Sequence, residues 1–89
     1  SSTKNLWKAI SFTQNELLKF ERATSPPNLQ LIQGEFKDDH HMNGFKWKKH
    51  IRDTTPLPKI TVRQVNYQLF WNEGNQKYSY DSDIYIKQK

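Results

Sequence analysis

The sequence contains no cysteine, only three glycines, and no apolar run near the length that crosses a membrane. The missing cysteines exclude disulfides, thiolate metal sites and cysteine nucleophiles. The glycines Gly34, Gly44 and Gly74 stand far apart, which excludes a glycine-rich phosphate loop. A spanning helix needs ~20 apolar residues, so no membrane segment is predicted, and the first residues lack the pattern of a secretory signal.

Catalytic motifs are missing too. The chain has neither Gly-x-Ser-x-Gly nor His-Glu-x-x-His. Asp81 and Asp83 share one face of a predicted strand, as paired carboxylates do in glycosidases, but so short a chain has little room for a deep pocket. The sequence therefore predicts a non-enzymatic protein with no cofactor and no small-molecule substrate.

Positive charge and aromatic rings are what the chain does have. Fourteen Lys and Arg against nine Asp and Glu give a net charge of +5, and 13% of the residues are aromatic. Aromatic side chains bury much area each, which favours a folded chain over disorder. We expect one domain over residues 1–89, cut from a longer protein because residue 1 is Ser. The lack of cysteine agrees with the cytosol, the nucleus or a secreted bacterial domain, and we favour an intracellular location, the cytoplasm or nucleus.

The N-terminal part predicts a helical segment over residues 1–25. Thr13-Gln14-Asn15-Glu16 has the spacing of a capping box, so a helix is expected over about residues 14–23, after a short helical turn over 4–10. Pro26-Pro27 cannot continue it.

Residues 28–88 predict an antiparallel sheet of four strands. The first two strand-like segments, residues 29–36 and 45–52, flank a polar connection that ends in the turn signal Asn43-Gly44. Thr54–Pro58 is expected to be a stiff extended loop. The apolar residues of 60–71 change phase, which predicts a bulge near Arg63-Gln64.

Gly74-Asn75 predicts the tip of a hairpin. Pairing Glu73 with Gln76 puts the apolar residues of both strands on one face and the mostly polar residues on the other. The fold class is therefore α+β: an N-terminal helix packed on one face of a curved four-stranded antiparallel sheet.

The second strand carries the main functional signal. Lys46, Lys48 and Arg52 fall on one face, as phosphate contacts require. The candidate phosphate-binding residues are Lys46, Lys48, Lys49 and Arg52, flanked by Lys59 and Arg63, and Lys77 could widen the patch. An alternative is that the lysines only protect a strand edge from aggregation.

A short segment of this strand has a family likeness. Gly44-Phe45-Lys46-Trp47-Lys48-Lys49-His50 resembles the basic Trp-containing strand of plant WRKY-type DNA-binding domains, which are four-stranded antiparallel sheets. The likeness covers seven of 89 residues and implies DNA binding. The chain departs from that family in lacking its Gly-Gln-Lys continuation and its zinc-ligand cysteines.

Two further groups are candidates for binding. Phe70 and Tyr85 are predicted to point away from the core, side by side, where they could stack on bases. Asp38-Asp39-His40-His41 combines carboxylates and imidazoles, but adjacent residues rarely converge on one ion, so we predict a solvated loop and no metal.

These observations predict a binding module for nucleic acid, here DNA, with no membrane contact. The alternative is a protein–protein interaction domain that uses an exposed strand edge and the Thr54–Pro58 segment, as in cystatin-like and related helix-on-sheet folds.

Overall fold

The computed structural model describes residues 2–37 and 40–87. A helix, α1 (Ser2–Glu21), precedes the strands β1 (Gln30–Glu35), β2 (Lys46–Leu57), β3 (Ile60–Glu73) and β4 (Gln76–Lys87). The strands form one open antiparallel sheet in the order β1-β2-β3-β4, and α1 packs on β3 and β4. The predicted α+β architecture is confirmed.

The N-terminal segment is one helix of 20 residues, so the helix start predicted at Gln14 is wrong. Thr13 is not a cap: it lies inside α1 and is fully buried. The residues of α1 that face the sheet recur every three or four positions on both sides of Thr13, which is why the helix continues through it. The residues of this face are Ala9, Phe12, Thr13, Leu17 and Phe20.

The β3–β4 hairpin has the predicted register throughout. Glu73 pairs with Gln76, and the remaining pairs follow without a shift down to Val62 with Lys87. Gly74 has a φ of +60°, as expected for a two-residue hairpin turn with glycine first. No bulge occurs at Arg63-Gln64, so that prediction is wrong; Val62 simply faces away from the helix.

The β2–β3 hairpin differs from the prediction at its tip. Thr54–Pro58 is not a loop, because β2 continues to Leu57 and only Pro58 and Lys59 form the turn. The register irregularity lies within β2, between Thr54 and Leu57. Since β1 pairs with β2 only up to Ile51 and β4 with β3 only to Val62, this tip projects beyond both edge strands.

The core fills the space between α1 and the sheet. Its buried strand residues include Ile51, Val65, Leu69 and Trp71. The connection between β1 and β2 contains a 3-10 turn, His40–Met42, and a predicted turn at Gly44, whose φ is +90°. This connection contributes Met42 and Phe45 to the hydrophobic core.

Gly34 sits directly under an indole ring. The Trp47 ring stacks on Tyr67 with centroids 6.2 Å apart and an interplanar angle of 15°. A Cβ atom at Gly34 would lie 2.9 Å from Cζ2 of Trp47. The lack of a side chain in β1 thus lets the indole lie flat over the neighbouring strand.

Candidate nucleic-acid interface

The candidate interface is the outer face of the sheet, the face opposite α1. Because side chains alternate along a strand, the even-numbered residues of β2 and β3 lie on this face, whereas the odd-numbered ones meet the helix. The β2 residues on the outer face are Lys46, Lys48, His50 and Arg52. We call these four residues the basic row.

The basic row is open to anions. Lys46 and Lys48 are about 6.6 Å apart, Arg52 lies ~13 Å further along the strand, beyond His50, and the row spans ~20 Å. Lys46 has a carboxylate nearby, with its Nζ 3.8 Å from Oε1 of Glu35, but both side chains are well exposed, so the pair contributes little. Within residues 2–37 and 40–87, no carboxylate lies in ion-pair distance of Lys48 or Arg52.

The amide side chain of Gln64 on β3 holds the guanidinium at one end of the row. Nε of Arg52 donates to Oε1 of Gln64 at 2.9 Å, and Nε2 of Gln64 donates to Oδ1 of Asp83 at 3.1 Å. Gln64 is buried, with 9% of its surface exposed, so this relay holds Arg52 in one orientation. Sequence reasoning did not identify Gln64, because its role depends on the β2–β3 register.

The middle of β4 makes the far side of the outer face negative at two positions, Asp81 and Asp83. Asn66 donates to Asp81 at 3.0 Å and to Asp83 at 2.8 Å, which holds both carboxylates on β4. β4 lies two strand spacings, about 9.5 Å, from β2. In the row Lys48–Gln68–Asp81, a positive, a neutral and a negative side chain therefore follow one another from β2 to β4, whereas Lys77 and Lys87 lie toward the two ends of β4.

Both predicted stacking residues lie on the outer face, but they are not neighbours. Phe70 is opposite Ser79 and Lys46. Tyr85 is opposite Gln64, which lies six residues from Phe70 along β3. They are thus ~20 Å apart, and the expectation that they lie side by side is wrong. Phe70 is half-buried, and Lys77 lines the same shallow depression as Phe70 and Lys46.

Lys49 and Arg63 lie on the other face of the sheet. Nζ of Lys49 is 5.5 Å from the centroid of the Phe20 ring, a cation–π contact with α1. Arg63 donates to both carboxylate oxygens of Asp53, at 2.8 and 3.1 Å, and to the Pro27 carbonyl oxygen at 2.8 Å. The structure therefore does not bring these two residues together with Lys46 and Lys48.

The Arg63–Asp53 pair changes the titration of both groups. The hydrogen bonds from Arg63 hold the pKa of the Asp53 carboxyl below its usual value, and the same bonds raise the pKa of Arg63. The positive charge of Arg63 is already matched. Lys59, the last predicted flank, occupies the projecting hairpin turn with a φ of +66°.

Metal and membrane sites receive no support from the described residues. Asp38 and Asp39 of the predicted solvated loop lie outside them, and His41 is exposed. Across residues 2–37 and 40–87, no group of three or more His, Asp or Glu side chains is placed to hold a metal ion. None of the described helices has the length and apolar content needed to cross a bilayer.

Comparison with known proteins assigns no family. No protein-family model, no curated protein and no solved structure matches this chain. The likeness to WRKY-type domains thus stays confined to seven residues of β2 and the turn before it.

Proposed function

We propose that this protein binds nucleic acid in single-stranded form along the basic row of β2. The observation that carries the proposal is the placement of Lys46, Lys48 and Arg52 on one open face, with ~6.6 Å between the first two and ~13 Å between the last two. Such a row follows a polyanion along its length. Counterion release from the phosphates supplies the affinity.

The charge gradient of the outer face favours a single strand over a duplex. The two backbones of a duplex are separated by grooves about 6–12 Å wide, close to the ~9.5 Å between β2 and β4, so a duplex with one backbone on β2 and the other toward β4 would place the second near Asp81 and Asp83. Those carboxylates repel phosphate. A single strand can follow β2 alone and keep its backbone away from β4.

Phe70 is the base-stacking residue of this proposal. It lies between Lys46 and Lys77, so a base on the ring would have cations on either side for its flanking phosphates. Tyr85 is 61% exposed but is ~20 Å away, next to Asp83, and is the weaker candidate.

The test is fluorescence anisotropy with a labelled mixed-sequence single strand of DNA at 50 and 200 mM salt. Three phosphate contacts give a salt slope of about −2, so affinity should fall ~20-fold between the two salt concentrations. Lys48→Gln should weaken binding at 50 mM and make the slope shallower by about 0.7. No binding at 50 mM would refute the proposal.

Lys49→Gln is the matched control. It removes the same charge from the next residue of the same strand, but on the helix side. We expect this variant to bind nearly as the parent protein does, and equal losses in the two variants would mean that only net charge matters. Phe70→Leu keeps apolar volume and removes the aromatic face, so it should weaken binding to the single strand roughly 5-fold or more.

The alternative, a protein–protein interaction domain, has one observation in its favour. The projecting β2–β3 tip exposes Leu57 and Ile60, with 59% and 44% of their surfaces accessible. Apolar contacts persist at 0.5 M salt, whereas phosphate contacts weaken steeply. A complex that survives 0.5 M salt and nuclease would therefore favour this alternative.

A further inference from the structure

The free edge of β1 exposes backbone hydrogen-bonding groups. Glu73 and Gln76 flank a two-residue turn and exchange both of their backbone hydrogen bonds, and the pairs alternate from there. When this alternation is followed through β3 and β2, the even-numbered residues of β1 are the ones whose backbone groups bond to β2. The N–H and C=O groups of Leu31, Gln33 and Glu35 therefore point away from the sheet, where the described chain places no further strand.

The two edges of the sheet are protected to different degrees. Natural sheets block free edges with charged side chains. β4 has four exposed charges on its outer face: Lys77, Asp81, Asp83 and Lys87.

β1 has no such protection along its length. Its single charged residue, Glu35, stands at its end. Leu31 on the outer face and Ile32 on the helix side are 59% and 42% exposed, and Leu29 just before the strand is 56% exposed. An edge that is apolar on both faces is suited to pairing with another strand.

We propose that β1 pairs antiparallel with β1 of a second copy of this chain, about a two-fold axis at Ile32. Such an axis keeps the outer faces on the same side and joins the two sheets into one of eight strands. Leu31 then exchanges backbone hydrogen bonds with the partner's Gln33. Ile32 meets its own copy in a non-hydrogen-bonded pair, where facing side chains are closest.

Charge favours pairing of β1 with β1 of the second copy over pairing of β1 with β4. The two-fold arrangement places Glu35 and its copy at opposite ends of the pair, ~20 Å apart, well beyond the Debye length of ~8 Å. Pairing of β1 with β4 of another copy would meet four charges and would continue head to tail without closing.

The size of the contact sets its strength. Only five residues a side, 30–34, pair within β1, well below the 20–30 residues a side of a standard interface, so the dimer should form only at high concentration. Each copy has a net charge of +5, so added salt should favour association. Nucleic-acid binding has the opposite salt dependence, so failure of one proposal is distinguishable from failure of the other.

Sedimentation equilibrium from 10 µM to 1 mM, in 150 and 500 mM salt, tests the proposal. The mass should rise from 10.7 kDa toward twice that value, and more so at the higher salt. Leu31→Lys should keep the protein monomeric. Leu57→Lys is the matched control, because Leu57 has the same 59% exposure but lies on the hairpin tip, and this variant should still dimerise.

Three results would overturn the proposal: a mass of 10.7 kDa at 1 mM, a Leu31→Lys variant that still dimerises, or an equal loss of dimerisation in Leu31→Lys and Leu57→Lys. Amide hydrogen exchange locates the contact independently. On going from 10 µM to 1 mM, the amides of Leu31 and Gln33 should gain protection while those of β4 do not. Protection that appears on β4 instead would also contradict the two-fold pairing.

Discussion

Gly34→Ala adds one methyl group where the structure has no space for it. The new Cβ would lie 2.9 Å from Cζ2 and 3.0 Å from Cε2 of Trp47. Both atoms belong to a rigid ring, so the indole or the strand must move. The backbone at Gly34 needs no left-handed conformation, which leaves this contact as the cause of any effect.

The expected magnitude is a balance of three contributions. Overpacking costs about 1–3 kcal/mol, and tilting the indole loses part of the stacking on Tyr67, worth about 0.5–1.5 kcal/mol. Replacing glycine reduces the entropy of the unfolded chain and returns about 0.4–1 kcal/mol. We expect a net loss of about 1–2 kcal/mol, which lowers Tm by about 5–15 °C in a domain of this size.

A double-mutant cycle with Trp47→Leu separates these contributions. Thermal and urea unfolding, followed by circular dichroism, gives the free energy of unfolding of all four proteins. Once the indole is gone, Gly34→Ala should become neutral or stabilise by up to about 0.5 kcal/mol. If Gly34→Ala stabilised the parent protein, or cost the same in both backgrounds, the contact with Trp47 would not be the reason for the glycine.

Three further changes have defined outcomes. Thr13 is fully buried and its hydroxyl has no hydrogen-bond partner among the described residues, so Thr13→Val should raise the free energy of unfolding by about 1 kcal/mol, and Thr13→Ser should not. Lys59 has a φ of +66°, which Asn tolerates better, so Lys59→Asn should stabilise by about 0.5–1 kcal/mol in urea unfolding; a similar gain from Lys59→Ala would contradict this reason. Arg63→Gln should lower stability at pH 7, where Asp53 is ionised. Because the pKa of Asp53 is held below its usual value, the loss should shrink as the pH falls below ~4, leaving the part due to the Pro27 contact; a loss equal at pH 7 and pH 2 would refute this.

The β3–β4 hairpin was predictable because two independent signals agree. The Gly74-Asn75 turn sets the register, and the apolar alternation on both sides of it has the same phase. The single unbroken helix α1 was harder to predict from the sequence. Thr13 is polar and precedes a glutamate by three residues, which is the spacing of a helix cap. In the structure Thr13 instead lies inside the helix because it is buried against the sheet.

The extent of β2 was hidden by its prolines. Pro56 interrupts a hydrogen-bonding pattern and favours a loop from sequence. In the structure β1 pairs with β2 only up to Ile51, so beyond that residue β2 is an edge strand, where proline is tolerated.

The candidate site was predicted in part. Alternation placed Lys46, Lys48 and Arg52 on one face, as the structure has them. Arg63 was assigned to the patch from its charge, but its parity puts it on the helix side beside Asp53. The relay through Gln64 needs a cross-strand partner on each side, which no pattern within one strand can reveal.

The position of α1 on β3 and β4 has a consequence for synthesis. The helix is made first, yet the strands that cover it begin at Ile60, 39 residues after Glu21. β4 is complete only at Lys87, 66 residues after Glu21, so at 5–20 residues per second the apolar face of α1 waits roughly 3–13 s for its full cover. We expect ribosome-bound chains arrested before Ile60 to be cleaved by protease within α1, and chains arrested well after Lys87 to be protected there. During translation this helix is therefore the part of the chain that depends longest on the ribosome or a chaperone for shelter.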